Sequence, residues 1–232
     1  MHTASLYPVI DPLLQVTLDI QDTESCRTDF GTTSSSAPAA AAIFALALEA
    51  RPELTWRDMQ YLCVTTARVP KEATVEWDTL ASGRKYSYEL GFGALDAYEF
   101  VKAAKTWALV PPQTWIHTPL VQYEEGALSA KGVFTGGTAL TKEYATRKFE
   151  ITQKMVDDAD FDVIEHVQVR ICVKHDKRGD IEVVLGSPKT IMSEIGVRRL
   201  RDNSKLGLRG WTFSTLKHWS VCRLSSSFSV CF

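Results

Sequence analysis

Apolar positions recur with two different periods in the two halves of this chain. In the first half the spacing is helical. Ala39 to Ala42, Ile43, Phe44, Leu46 and Leu48 make one segment apolar almost all round. This predicts a buried helix from about Ser36 to Ala50, with Pro38 in its first turn and Arg51-Pro52 as its stop. Thr55 followed by Asp58 is a capping-box pattern and predicts a second helix, with Trp56, Met59, Leu62 and Cys63 on its packed face. Leu95 to Trp107, with Ala97, Phe100, Val101 and Ala104 on one side, predicts a third, closed by Pro111-Pro112. Val16 to Ile20 and Tyr86 to Phe92 read as short strands, and Gly91 and Gly93 as a tight turn rather than a phosphate loop.

In the second half the period falls to two. Val167, Val169, Ile171 and Val173 alternate with Gln168, Arg170, Cys172 and Lys174, and the alternation resumes at Ile181, Val183 and Leu185. The pattern predicts a hairpin turning at Lys177-Arg178-Gly179-Asp180. Arg178-Gly179-Asp180 also spells a receptor-binding triplet, but a turn calls for Gly and Asp in any case. The switch in period divides the chain into residues 1–110 and 111–232.

Totals narrow the function classes. With 232 residues and 45% hydrophobic content the chain can bury a sizeable core. Its 26 basic against 28 acidic side chains give no sign of a nucleic-acid surface, so a protein or peptide partner is expected. No stretch approaches the ~20 apolar residues of a membrane span, and the first residues lack the basic start of a secretory signal. Five cysteines without CxxC spacing argue against a zinc knuckle; Cys63, within a helical pattern, is expected to be buried.

Candidate chemistry concentrates in Cys26 to Ala50, where a serine cluster meets a helix start. Backbone N–H groups there lack partners and carry partial positive charge, which suits a nucleophile beside a developing oxyanion. Serines also cap helices for purely structural reasons. The wording extends further, through Thr33-Ser34-Ser35-Ser36-Ala37-Pro38, Leu54-Thr55-Trp56-Arg57-Asp58-Met59-Gln60, Lys85-Tyr86-Ser87, Gly91-Phe92-Gly93 and Leu95-Asp96-Ala97. It closely resembles the nucleophile region of subtilisin-family proteases of the kexin and furin branch, the proprotein convertases. Downstream, Thr114-Trp115, Ile164-Glu165-His166-Val167, Arg178-Gly179-Asp180, Ser187-Pro188, Ile195-Gly196 and Trp211-Thr212-Phe213 with His218-Trp219 resemble that family's P (Homo B) domain.

The resemblance implies an α/β subtilisin-like fragment with a central buried helix, then a β-sandwich jelly-roll P domain, both incomplete. It implies Ser34 as nucleophile, with Thr32 and Thr33 lining the substrate. Thr32 stands where the family pattern has glycine, so its side chain could crowd the substrate or tilt the serine. The implied activity is calcium-dependent cleavage of precursor proteins after paired basic residues, in the secretory pathway at Golgi membranes. The aspartate, histidine and oxyanion asparagine of that chemistry should lie well before Ser34, yet the one histidine there is His2, too near Ser34 to match the family's, and the sole asparagine is Asn203. No calcium site is expected in these residues, and the chain alone is expected to be inactive. A non-catalytic remnant or binding module is the alternative. The tail after Trp219, SVCRLSSSFSVCF, departs from the family and is expected to leave the sandwich open with unpaired strand edges.

Overall fold

Capping and core contacts set the helices of the first half. The structure, a computed structural model, describes residues 17–18, 26–27, 33–71, 74–118, 127–131, 133–135, 145–160, 162–187, 191–219 and 226–231. The chain divides into two units, a helical one (residues 2–79 and 83–112) and a strand-rich one (residues 80–82 and 113–232, with residue 1).

In the helical unit, β1 (Thr17–Leu18) pairs antiparallel with β2 (Cys26–Arg27), and α1 (Thr33–Ala50), α2 (Trp56–Thr66) and α3 (Ala97–Lys105) supply the core, with β3 (Asp78–Thr79) and β4 (Lys85–Tyr86) paired between them in sequence. Thr55 caps α2 through the reciprocal box with Asp58, and Asp96 caps α3 by accepting from the Glu99 N–H at 3.0 Å. Ala47, Leu62, Phe100 and Ala104 are fully enclosed, and the Phe44 and Phe100 rings meet at 5.4 Å. Asp58 is buried outright, accepting from Thr55 N (2.8 Å), Trp107 Nε1 (3.0 Å) and Val110 N (2.8 Å), so one carboxylate ties α2 to the segment after α3. Gly93 takes φ +128°, and a Cβ there would meet the Arg68 carbonyl oxygen at 2.5 Å.

Three expectations for these helices need correction. The helix expected to be buried is not: α1 buries Ser36, Ala40 and Ala47, while Leu46 (52%) and Leu48 (41%) stand exposed. Ile43, Phe44 and Ala47 face the core, with Ala40 also buried, because α3 packs on one side of the helix. The helix also starts three residues earlier than the expected Ser36, at Thr33, which puts Pro38 beyond the first turn. On α2, Trp56 points outward, whereas Leu62 and Cys63 are buried as expected.

In the strand-rich unit, β5 (Ala127–Leu128) pairs with β6 (Phe134–Thr135), and β7 (Thr146–Ile151) leads into the short α4 (Gln153–Asp158). Then come β8 (Val167–Val173), β9 (Val183–Gly186), β10 (Met192–Gly196), β11 (Leu208–Thr215) and β12 (Ser226–Cys231). One sheet has the order β10-β9-β12-β7, and a separate pair joins β11 to β8. Ile171 and Leu208 from the pair and Val183 and Leu185 from the sheet close one shared core with Ile164 and Ile181. Among the described residues no helix is long and apolar enough to cross a membrane.

The predicted hairpin does not form. β8 pairs with β11, and β9 pairs with β10 and β12, because Arg178–Asp180 makes a tight 3-10 turn that hands the chain from one sheet to the other. The tail differs too: it supplies β12, which lies between β7 and β9, so the edges expected to be open there are paired. Its run Ser227-Phe228-Ser229-Val230 alternates polar and apolar residues, the ordinary signature of a strand.

Candidate active site

The serine cluster lies at the start of α1. Thr33 and Ser34 occupy its first turn and both are exposed. Thr32 lies outside the described residues. Backbone N–H groups of this turn have no carbonyl one turn earlier in the helix, and the helix dipole adds partial positive charge where they point. A hydroxyl here can be approached from solvent, and an oxyanion formed beside it would lie at the positive end of the helix dipole. Pro38 follows Ser34 by one helical step of four residues and brings no N–H, so the Ser34 carbonyl receives no helical hydrogen bond from it. Farther along the helix, Phe44 and Ala47 pack in one core with Phe100 and Ala104 of α3.

A serine of this kind needs a base. Of the five histidines, His2 lies outside the described residues, and His117, His166, His175 and His218 belong to the strand-rich unit. Of these, His218 is fully buried and His117 is exposed. The His166 ring lies 6.0 Å from Trp115 and 6.4 Å from Trp219, with Gln113 Nε2 at 3.3 Å from its Nε2. His175 Nδ1 accepts from the Lys177 N–H at 3.1 Å.

A serine–histidine pair does occur, joining residues 25 apart in sequence: Ser193 Oγ lies 3.1 Å from His218 Nε2. Nothing in the spacing of the two residues signalled it. Both side chains are fully buried, so no substrate reaches them, and Thr215 Oγ1 completes the cluster by donating to Ser193 Oγ at 3.3 Å. Burial, reinforced by the charge of Lys217, pushes the His218 imidazole down to about 4, so it stays neutral at physiological pH.

The Arg178-Gly179-Asp180 turn is engaged within the unit. Arg178 forms a two-pronged pair with Asp202 (Nε 2.7 Å, Nη2 3.0 Å) and stacks 4.7 Å over the Trp211 ring. Asp180 Oδ1 receives Arg198 at 3.1 Å and Lys177 at 3.3 Å, and Gly179 is buried. Both charged ends of the triplet are therefore held by neighbours. Among the described residues no cluster of three or more His, Cys, Asp or Glu side chains could hold a metal ion, so no calcium ligand set is assigned.

Comparison with known proteins gives this geometry a context. Residues 13–93, which contain Ser34, match the subtilase family, and residues 164–222 match the proprotein convertase P-domain. The chain is 36% identical over 200 residues to the dibasic-processing endoprotease of Schizosaccharomyces pombe, covering 84% of this chain and 27% of that protein. It is 39% identical over 195 residues to the kexin of Saccharomyces cerevisiae (84% and 23%), and 33% identical over 201 residues to human proprotein convertase subtilisin/kexin type 7 (87% and 24%). The chain thus spans about a quarter of the length of these curated relatives. A crystal structure of the serine protease of Aeromonas sobria superposes with a TM-score of 0.66 at 18% identity, covering 90% of this chain and 38% of that one, a likeness of fold.

Proposed function

Since the chain belongs to the kexin-like proprotein convertases of the subtilase family, we propose that it is the nucleophile-bearing segment and P domain of a serine endopeptidase that cuts precursor proteins after paired basic residues. In this reading Ser34 Oγ attacks the scissile carbonyl carbon, its proton passes to a histidine base, and the tetrahedral oxyanion is held partly by the first-turn N–H groups of α1. Thr32 and Thr33 line the approach of the substrate. The P segment is read as a jelly roll, and the working environment as the secretory pathway at Golgi membranes, with calcium required as in the family. The observation that carries the proposal is the exposed first-turn position of Ser34 inside the subtilase-matching residues.

These 232 residues alone supply neither the base nor the oxyanion asparagine: His2 is the one histidine before Ser34, and Asn203 is the one asparagine. Loss of triad members removes about 10⁴–10⁶ of the rate and loss of an oxyanion donor about 10²–10³. The isolated chain is therefore inactive, and it is as a non-catalytic remnant that it would act by itself. A chimera tests the two halves of this reading: residues 17–112 replace the matching part of Saccharomyces cerevisiae kexin. The chimera is expected to cleave a Lys-Arg peptide with calcium, to gain rate on Thr32→Gly and to lose all turnover on Ser34→Ala. The isolated chain should neither cleave nor take up a fluorophosphonate label. Turnover that survives Ser34→Ala in the chimera overturns the nucleophile assignment, and labelling of the isolated chain at Ser34 overturns its inactivity.

A further inference from the structure

Residues 197–209, the connection between β10 and β11 with the first two residues of β11, have a composition unlike the chain around them. They carry five cations, Arg198, Arg199, Arg201, Lys205 and Arg209, against one carboxylate, Asp202, in a chain whose net charge is −2. The turn they rest on adds two charges of each sign, Lys177 and Arg178 with Asp176 and Asp180, and so leaves the excess unchanged. Interleaved with the cations are three aliphatic side chains that the fold leaves in solvent: Leu200 is 73% exposed, Val197 59% and Leu206 53%.

This segment is held rigidly. Arg199 N donates to the Gly179 carbonyl (2.8 Å), Gly179 N to the Asp202 carbonyl (3.0 Å), and Arg178 N to the Ser204 carbonyl (2.8 Å). The approach is so close that a Cβ on Gly179 would lie 2.1 Å from the Arg199 carbonyl oxygen. Asp202 pairs with Arg178 and, at 3.3 Å, with Arg199, while both guanidinium groups stack on Trp211, at 4.7 and 5.3 Å. The exposure of Leu200 is therefore a built feature of a stitched turn, and little further ordering entropy is lost when something covers it.

Three outward-pointing aliphatics collared by cations match one kind of surface. A polyanion without apolar groups would use the cations and leave Leu200 in water. A bilayer interface uses both, since acyl chains accept the aliphatic tips while phosphate-bearing headgroups meet the cations. We propose that residues 197–209 form a peripheral docking surface for an anionic lipid membrane, with Leu200 inserted, Val197 and Leu206 at its margin, and Arg201 and Lys205 against the headgroups.

The test is co-sedimentation of the full chain with vesicles of phosphatidylcholine, with and without phosphatidylserine. The chain should partition onto the anionic vesicles, hardly onto the neutral ones, and less as salt rises. Leu200→Asp combined with Arg201→Glu should lower the partition coefficient at least about tenfold, with an unchanged melting temperature because both side chains are exposed. Leu48→Asp, on the exposed flank of α1, should leave partition unaltered. No binding to anionic vesicles, undiminished binding by the double variant, an equal loss in Leu48→Asp, or retention on heparin without vesicle binding would each overturn the proposal.

Discussion

Asp58 and Trp107 are joined by a hydrogen bond of 3.0 Å from the indole N–H to a carboxylate with no solvent exposure. That carboxylate also accepts from the Thr55 N–H and hydroxyl in the capping box of α2 and receives the Val110 N–H. Burial on its own would raise its pKa; the hydrogen bonds from Thr55, Val110 and Trp107 outweigh burial and hold it below the ordinary value. A carboxyl lowered in the fold contributes stability that is present above its unfolded value, about 3.9, and is lost as pH falls through the folded one. Asp58→Ala strands two donors and opens the cap, and is expected to cost about 3 kcal/mol. Asp58→Asn should cost less but turn an amide donor toward the Thr55 N–H. Urea titration followed by helical circular dichroism checks the order; an Asp58→Ala chain as stable as the parent contradicts it.

Two cysteines should react very differently. Burial pushes the Cys63 thiol up to about 12, which leaves almost no thiolate at neutral pH, whereas Cys172 is exposed on β8. Iodoacetamide on the native chain, mapped by mass spectrometry, should modify Cys172 and spare Cys63 until denaturant is added. Equal labelling of the two in the native state would mean that the α1–α2–α3 core opens readily.

What was legible in the residues divides along the range of the forces involved. The helices could be read because capping and i, i+3/i+4 spacing act within one turn: Thr55 with Asp58 and Asp96 with the Glu99 N–H are both local pairs. Strand partners could not be. Alternation along Val167 to Val173 identifies a strand with one buried face, but its partner is β11, some forty residues on, because a 3-10 turn and the Arg178–Asp202 pair redirect the chain. The exposure of α1 was invisible for a similar reason. Apolar content says that a helix would rather be covered, whereas which of its faces is covered depends on what packs there, and α3 reaches only the face that carries Ile43, Phe44 and Ala47. At the candidate site, the position of Ser34 near a helix start was accessible from its neighbours. The buried Ser193–His218 pair was not, since nothing local distinguishes it.

His218 should make the strand-rich unit acid-sensitive. A histidine whose folded pKa lies at about 4, below the unfolded value near 6.5, stays neutral in the fold while the unfolded chain takes up a proton. Its contribution is thus intact above about pH 6.5 and declines as pH falls toward 4. The melting temperature should drop by several degrees between neutral pH and pH 4.5. His218→Gln, neutral throughout, should be less stable at neutral pH yet show a flatter profile across that interval. An unchanged slope would assign the acid sensitivity to other groups.

Asp202 governs a lower interval and a different surface. The hydrogen bond from Arg178 is the chief cause of a carboxyl pKa lowered to about 2, and Arg199 and the Ser204 N–H add to it against partial desolvation. Its contribution is present above about 3.9 and is lost as pH descends toward 2. Asp202→Asn keeps the shape but removes the charge that Arg178 and Arg199 share, so it should lower the melting temperature at neutral pH and flatten the profile below pH 4. The guanidinium stack on Trp211 then loses its anchor, and the turn that buries Gly179 should open more often. Limited trypsin digestion reports this directly: cleavage after Arg178 and Arg199 should accelerate in Asp202→Asn relative to cleavage after Lys102 or Lys105 on α3. If all four sites keep the parent's relative rates, the pair is a surface ornament and the turn is held by its backbone hydrogen bonds alone.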